Sequence, residues 1–250
     1  MSAYEDLIDE AASLILNSKK TVALTGAGIS AESGIATFRG EGGIWEKYDP
    51  EEYAHIATFR RNPSRSWILF KEMIETIKKA APNPSHFALA KLEEMELLSS
   101  IITQNVDNLH QDAGSKNVIE FHGNTINLSC MDCDRKYTAS EVSIDEIPPL
   151  CECGGVLRPD AVLFGEAIPF EALVESRKES EECDLILVIG TTALVQPAAS
   201  MPLIAKGAGA KIIEINPEET ALTLTADIFI KGGSARALSD ILKKVEYNLR

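Results

Sequence analysis

The sequence predicts an α/β fold: a Rossmann-like, doubly wound parallel sheet carrying a small zinc-ribbon module and an inserted helical lobe. Three observations lead there. Apolar runs rich in β-branched residues recur and end in small polar turns, at 21–25, 99–103, 117–121, 184–190 and 211–215, as buried parallel strands do. The first run is followed at once by Gly26, Gly28 and Ala31 in the form G-x-G-x-x-[GA], where the first glycine makes a tight turn and the second lets backbone N–H groups approach a pyrophosphate. The same pattern also occurs as a structural strand-to-helix turn that binds nothing. Finally, four of the five cysteines fall between Cys130 and Cys153, a clustering that suits a metal better than a disulfide framework in a chain this long.

At 250 residues, with 45% hydrophobic and 25% charged residues, the chain can bury one large core and carry a smaller unit beside it. No run reaches the length of a membrane span, and the N-terminus lacks the basic-then-apolar layout of a secretory signal, so a cytoplasmic protein with no membrane partner is expected. A net charge of -14 repels a phosphate backbone. It disfavours direct nucleic-acid binding and suits a basic protein or peptide partner.

In chain order, Ser2 and Glu5 have capping-box spacing, and Leu7, Ala11, Leu14 and Ile15 share one face of the helix that follows, which would cover the sheet. After the first strand a plain dinucleotide fingerprint would enter a long helix. Here Gly34, Phe38, Arg39, Gly40, Gly42 and Gly43 prolong a flexible composition, which reads as a lid over a ligand. From 45 to 81 the spacing is helical, with Trp67, Phe70, Met73, Ile74 and Ile77 on one face, before Asn83-Pro84-Ser85 caps a helix running to Met95. The second strand thus returns far later than in a simple βαβ unit. Strands are expected at 99–103 and 117–121, with a helical turn through Leu109 between them. After the cysteines the rhythm resumes with strands at 161–164, 184–190, 211–215 and 227–230 and helices at 169–181, 197–207 and 234–248. The dinucleotide-binding domain is therefore drawn from 1–40, 83–123 and 160–250, the helical insertion from 41–82, and the zinc ribbon from 124–159.

Cys130-x2-Cys133, 17 intervening residues, then Cys151-x-Cys153 is a four-thiolate set of the kind that holds one tetrahedral structural Zn2+, with no open coordination position for catalysis. Cys183 reads as a small buried hydrophobe. Of the four histidines, His122 directly follows a strand and precedes Gly123-Asn124, at the carboxyl edge where open parallel sheets bind ligands. There an imidazole could remove a proton from a hydroxyl, or it could serve as a structural hydrogen-bonding group. His86 and His110 read as core or backbone partners, and His55 as a surface residue. Gln104, Asn105 and Asp107 end another strand; they could read a carboxamide and ribose hydroxyls, or form a polar loop with a helix cap. Gly190-Thr191-Thr192 and Asn216-Pro217-Glu218 repeat the arrangement of apolar strand and small polar turn, and both could hold ribose and adenine.

Taken together, GAGIS at 26–30, SGIATFR at 33–39, TQNVDNLH at 103–110, EFHGN at 120–124, the four clustered cysteines, FGE at 164–166, GTTALVQPAA at 190–199 and INPEE at 215–219 resemble the sirtuins, NAD-dependent protein lysine deacylases. The resemblance spans about residues 20 to 236. It implies NAD along the sheet's carboxyl edge as co-substrate, with Gly26, Ala27, Gly28, Ser30 and Arg39 around the phosphates and nicotinamide ribose. Gln104, Asn105 and Asp107 would line the nicotinamide pocket, Asp107 and the Ile29 backbone meeting the carboxamide, and Phe38 would shield the sugar. Gly190, Thr191, Thr192, Asn216, Pro217 and Glu218 would hold the phosphate and adenosine end. The implied mechanism has the acyl oxygen of the modified lysine displace nicotinamide from C1′ of the ribose. His122 then acts as catalytic base on a ribose hydroxyl, with Asn105 beside it, and the acyl group leaves on ADP-ribose. Val162, Phe164, Gly165 and Glu166 on one side, and Ala193, Leu194, Val195 and Gln196 on the other, would pair with an acetyl-lysine peptide as an added strand. An acetylated DNA-associated protein or a metabolic enzyme is the substrate that the resemblance suggests.

Three departures from the family pattern stand out. Ala36-Thr37 replaces the usual Pro-Asp before Phe38-Arg39, removing a φ restraint and a charge from the lid. The second cysteine pair is one residue closer than usual. Phe70 and Met73 occupy the places where succinyl-removing members carry a Tyr-x-x-Arg pair, so an apolar acyl pocket that rejects succinyl is expected. Two other functions share the same cofactor site: ADP-ribose transfer to a protein side chain, and NAD sensing without turnover.

Overall fold

Every residue of the strand Thr21–Thr25 is buried, and its side chains alternate between two cores. Val22 and Leu24 enter one, Ala23 the other, so the strand must have layers on both faces. The computed structural model describes residues 3–250 and supplies those layers. In chain order the elements are α1 (Ala3–Asn17), β1 (Thr21–Thr25), a 3-10 turn (Ala27–Ser33), α2 (Ile44–Lys47), α3 (Pro50–Tyr53), α4 (Ile56–Arg61), α5 (Pro63–Ile77), α6 (Pro84–Glu94), β2 (Ser100–Thr103), α7 (Leu109–Asp112) and β3 (Val118–Glu120). They continue with β4 (Gly123–Cys130), β5 (Lys136–Thr138), β6 (Leu157–Ala161), α8 (Phe170–Glu182), β7 (Leu185–Ile189), a 3-10 turn (Ala198–Ser200), α9 (Met201–Gly207), β8 (Lys211–Asn216), β9 (Ile228–Lys231) and α10 (Ser234–Asn248). The expected capping box at Ser2 lies outside the described residues.

Six strands form one parallel sheet in the order β3-β2-β1-β7-β8-β9, so the strand order reverses between β1 and β7. Register brings the carboxyl ends level: Thr25 lies beside both Thr103 and Ile189, and Ile189 beside Ile215. The residues just beyond these ends therefore form one row, from His122 through Gln104, Gly26 and Gly190 to Asn216 and Gly232. Ala11 and Ile15 of α1, Leu89 of α6 and Leu238 of α10 pack against one face of the sheet, and Met201 and Ala205 of α9 against the other.

The two insertions share a third core. Phe59, Trp67 and Phe70 from the helical segment pack with Leu128, Cys130 and Leu157 from the cysteine segment, and the Trp67 indole N–H donates to the Leu157 carbonyl at 2.8 Å. Here β5-β4-β6 make a small antiparallel sheet. One expected strand of the large sheet is absent from it. Residues 161–164 are not a sheet strand: Ala161 ends β6 opposite Gly123, and Phe164 makes an isolated bridge to His55. Their apolar composition suits any extended segment with neighbours on both sides, and here the segment crosses between the small lobe and the sheet.

Candidate active site

The carboxyl ends of the sheet, the turn of Gly40–Gly43 and the small lobe enclose a cavity of about 870 Å³. Gly28 explains how the switch point closes. Its N–H donates to the Gly190 carbonyl at 2.8 Å, and a Cβ there would lie 2.6 Å from the Gly190 Cα. Gly190 itself has φ +61, and a Cβ on it would lie 2.4 Å from the Ile29 nitrogen. The glycines of the two turns thus let one loop rest on the other. That is a different close approach from the one the fingerprint suggests.

Of the residues singled out from the sequence, the cavity is lined by Gly26, Ala27, Gly28, Phe38, Arg39, Gln104, Asn105, His122, Gly190, Thr191, Thr192, Asn216, Pro217 and Glu218, and also by Val162, Phe164, Gly165, Glu166, Leu194, Val195 and Gln196. A second cavity, of about 160 Å³, shares Ala27, Phe38 and Asn105 with it and is lined by Ser30 and Asp107. Two residues are not brought to either wall. Ile29 is fully buried in the core under α1, with its N–H on the Gly26 carbonyl and its C=O taken by Asn83; Ala193, at φ +52, packs against the core on the α9 side.

His122 is held by its main-chain neighbour. Its Nδ1 lies 3.0 Å from the Gln104 carbonyl, which can only accept, so Nδ1 carries the proton and Nε2 keeps a lone pair. Burial lowers its pKa below the usual histidine value, opposed by that same hydrogen bond. Beside it a buried network fixes the smaller cavity's polar end. The Ser30 hydroxyl donates to Asp107 Oδ2 at 2.7 Å, Asn105 Nδ2 donates to Ser30 Oγ at 3.1 Å and to the Gly26 carbonyl at 3.2 Å, and the Leu109 N–H donates to Asp107 Oδ1 at 3.0 Å. Burial pushes the Asp107 carboxyl up despite these donors. Beneath lie two buried histidines with rings 5.0 Å apart. His86 Nδ1 accepts from the Asn83 N–H at 3.2 Å, and His110 Nε2 meets the Thr25 hydroxyl at 2.9 Å. Desolvation holds their pKa values at about 4 and about 3, so both are neutral core residues at pH 7. His55 is not a free surface residue: its Nδ1 caps α4 by accepting from the Ala57 N–H, and its ring packs where a Cβ on Gly165 would be.

Gly232, Gly233 and Ser234 also line the large cavity and are absent from the sequence-derived set. Their signal is the one that exposed Gly190 and Thr191: a small polar turn directly after an apolar strand. Glu32, Trp45 and Thr220 line it as well, with no comparable mark in the sequence.

The sulfurs of Cys130, Cys133, Cys151 and Cys153 all lie within 4.8 Å of one another, and three of the pairs are 3.5 to 3.6 Å apart. Four thiolates at about 2.3 Å from a central ion stand a little under 4 Å apart, so the cluster fits one Zn2+. The shortened second pair is accommodated by Gly154 and Gly155. Gly154 adopts φ +88, and a Cβ on Gly155 would lie 2.7 Å from Cys130 Sγ. No helix among the described residues is long and apolar enough to cross a membrane.

The Sir2 family matches residues 26–197. A protein of Pyrococcus abyssi named NAD-dependent protein deacylase is 46% identical over 245 residues, covering 96% of this chain and 98% of that protein. Among solved structures, a Sir2 homolog in complex with NAD is 44% identical with a TM-score of 0.88, over 98% of this chain and 95% of that one. A Sir2 variant with a deacetylated p53 peptide and 3′-O-acetyl ADP-ribose is 38% identical with a TM-score of 0.91, over 95% and 98%. With its six-stranded parallel sheet, its four-cysteine module and these matches over nearly its whole length, the chain belongs to the Sir2 family.

Proposed function

We propose that this chain is an NAD-dependent protein lysine deacetylase that transfers the acetyl group of acetyl-lysine to ADP-ribose and releases nicotinamide. The observation that carries the reading is the fixed tautomer of His122, whose Nδ1 is committed to the Gln104 carbonyl while its other nitrogen is left to act as a base at the cavity wall. When bound, NAD would supply an electrophilic ribose carbon that bears nicotinamide as its leaving group. The remaining roles belong to the chain. Asp107, held by Ser30 and Leu109, and Asn105 present hydrogen-bonding groups at the polar end of the smaller cavity, suited to a carboxamide. Gly190, Thr191, Thr192, Asn216, Pro217 and Glu218 would take the adenosine end, joined by Gly232, Gly233 and Ser234. Phe38, stacked on Trp45 with ring centroids 5.2 Å apart, would exclude water from the sugar, and Gly34–Gly43 would be the lid.

Main-chain pairing of 162–166 and 193–196 with an acyl-lysine peptide supplies affinity for extended segments of many proteins. The relative solved with a p53 peptide supports acetylated peptides as substrates, and an acetylated DNA-associated protein is one such partner. The acyl end of the site is lined by Leu69, Phe70 and Met73, which favours acetyl and longer alkyl groups. Lys47, which lines the adjoining small cavity with Leu69 and Met73, is already paired with Glu72, so a succinyl carboxylate would be buried there without a free cation, at a cost of several kcal/mol.

The test is incubation with NAD and matched acetyl- and succinyl-lysine peptides. Equal yields of nicotinamide and deacetylated peptide, with the succinyl peptide untouched, are expected. Adenine-half label retained on denatured protein would favour ADP-ribosyl transfer instead, and NAD binding without turnover would favour a sensor. The relative is named a deacylase, which supports the first outcome.

A further inference from the structure

Glu166 stands in the wall of the large cavity, yet its carboxylate is committed inside the protein. Arg158, on β6, meets it with both terminal nitrogens, at 2.6 Å to Oε1 and 2.8 Å to Oε2, and the Leu163 N–H donates to Oε2 at 2.9 Å. The same guanidinium donates to the carbonyls of Ala161, at 2.7 Å, and Pro159, at 3.2 Å. The Arg158 and Glu166 side chains are only 15% and 22% exposed. This is the planar two-point geometry that a lysine cannot reproduce.

Besides the packing of Leu163 and Phe164 in the small-lobe core, the segment it holds has few other main-chain anchors. The Val162 N–H donates to the carbonyl of His122 at 2.8 Å, and Phe164 exchanges hydrogen bonds with Ala54 and Ile56 at 2.9 and 3.0 Å. The Glu166 N–H turns back to the Leu163 carbonyl at 3.0 Å. Among the described residues, the N–H and C=O of Gly165 have no main-chain partner within the chain, so they form the free edge of this wall. The ion pair closes the turn 163–166 on the side of the small lobe. The Val162 bond ties the same segment to the main chain of His122.

We propose that Arg158 and Glu166 are positioning residues: their ion pair fixes the course of 161–166, and through it the free edge at Gly165 relative to His122, while the Glu166 carboxylate makes no contact with substrate. This deepens the deacetylase reading and rests on its assignment of 162–166 to peptide pairing. It also means that the small lobe supplies the support for the peptide wall.

The experiment compares wild type, Glu166→Gln, Arg158→Lys and Arg158→Ala by hydrogen–deuterium exchange and by initial rates with NAD and an acetyl-lysine peptide varied separately. Faster exchange confined to 161–168 is expected in every variant. KM for the peptide should rise about tenfold, with KM for NAD within about twofold. An N-methyl group on the peptide amide flanking the acetyl-lysine should weaken wild type and add little to Glu166→Gln, because both act through the same main-chain edge. Unchanged exchange at 161–168, or a parallel rise in both KM values with exchange increased across the sheet, would overturn the proposal. If wild type deacetylates nothing, the functional reading fails, and the exchange measurement alone still decides whether the pair sets this segment.

Discussion

The proposed role of His122 as a base depends on the hydrogen bond made by its other nitrogen. Donation from Nδ1 to the Gln104 carbonyl selects the tautomer and aims the ring, while burial keeps the imidazole neutral. Because the folded pKa is lowered from 6.5, the basic form persists below that pH. The acid limb of a kcat/KM pH profile should therefore be centred below pH 6.5, with activity falling about tenfold per unit beneath the folded pKa. A limb centred above 7 would contradict the assignment. The position of this histidine was legible in the sequence, since it directly follows a strand at the sheet's carboxyl edge. What holds its neighbours was not. Ser30 and Asp107 are 77 positions apart, and only the parallel pairing of β1 with β2 brings their loops together. Glu166 was legible as a wall residue, but its commitment to Arg158 depends on the turn between them and could not be read from composition.

The strands β1, β7 and β8 could be read as elements because burial on both faces leaves them almost wholly apolar. The run at 161–164 carries the same composition and crosses between lobes instead, since that signal reports neighbours on both sides and does not say which neighbours. Within β8, Glu214 breaks the apolar pattern while remaining 1% exposed. Its carboxylate accepts from the hydroxyl of Thr223 at 2.7 Å and from that of Thr220. Those hydroxyls in turn accept from the main-chain N–H groups of Thr220 and Leu222 at 2.8 and 3.0 Å. One buried carboxyl group thus shapes the loop that carries Pro217, Glu218 and Thr220 into the large cavity. Replacing it with Ala removes both acceptors and leaves two hydroxyls without their partner. Glu214→Ala should raise KM for NAD severalfold to tenfold in steady-state kinetics and leave KM for the peptide within about twofold, with a smaller effect for Glu214→Gln. Equal changes in both would show that the loop serves overall stability alone.

At the scale of the whole molecule, the two insertions are one unit. The sequence shows them as a helical stretch at 41–82 and a cysteine stretch at 124–159, separated by α6, β2, α7 and β3, and nothing in either announces that Trp67 reaches the Leu157 carbonyl. Because the metal cluster and the helical segment share a core, removing zinc should loosen both together. Limited proteolysis after strong chelation should show 41–82 and 124–159 becoming susceptible at the same chelator concentration, with β1 and β7 still protected. Cleavage in the ribbon alone would mean that the helices hold without it. The proposed reaction is transfer of an acetyl group to ADP-ribose at this sheet edge, with His122 as its base. Mass spectrometry of the products formed from NAD and an acetyl-lysine peptide, by wild type and by His122→Ala, tests it most directly. Deacetylated peptide, nicotinamide and acetylated ADP-ribose in equal amounts are expected from wild type, with a loss of at least about a hundredfold in the acetylated product from the variant. Free acetate in place of acetylated ADP-ribose, or a variant as active as wild type, would contradict it.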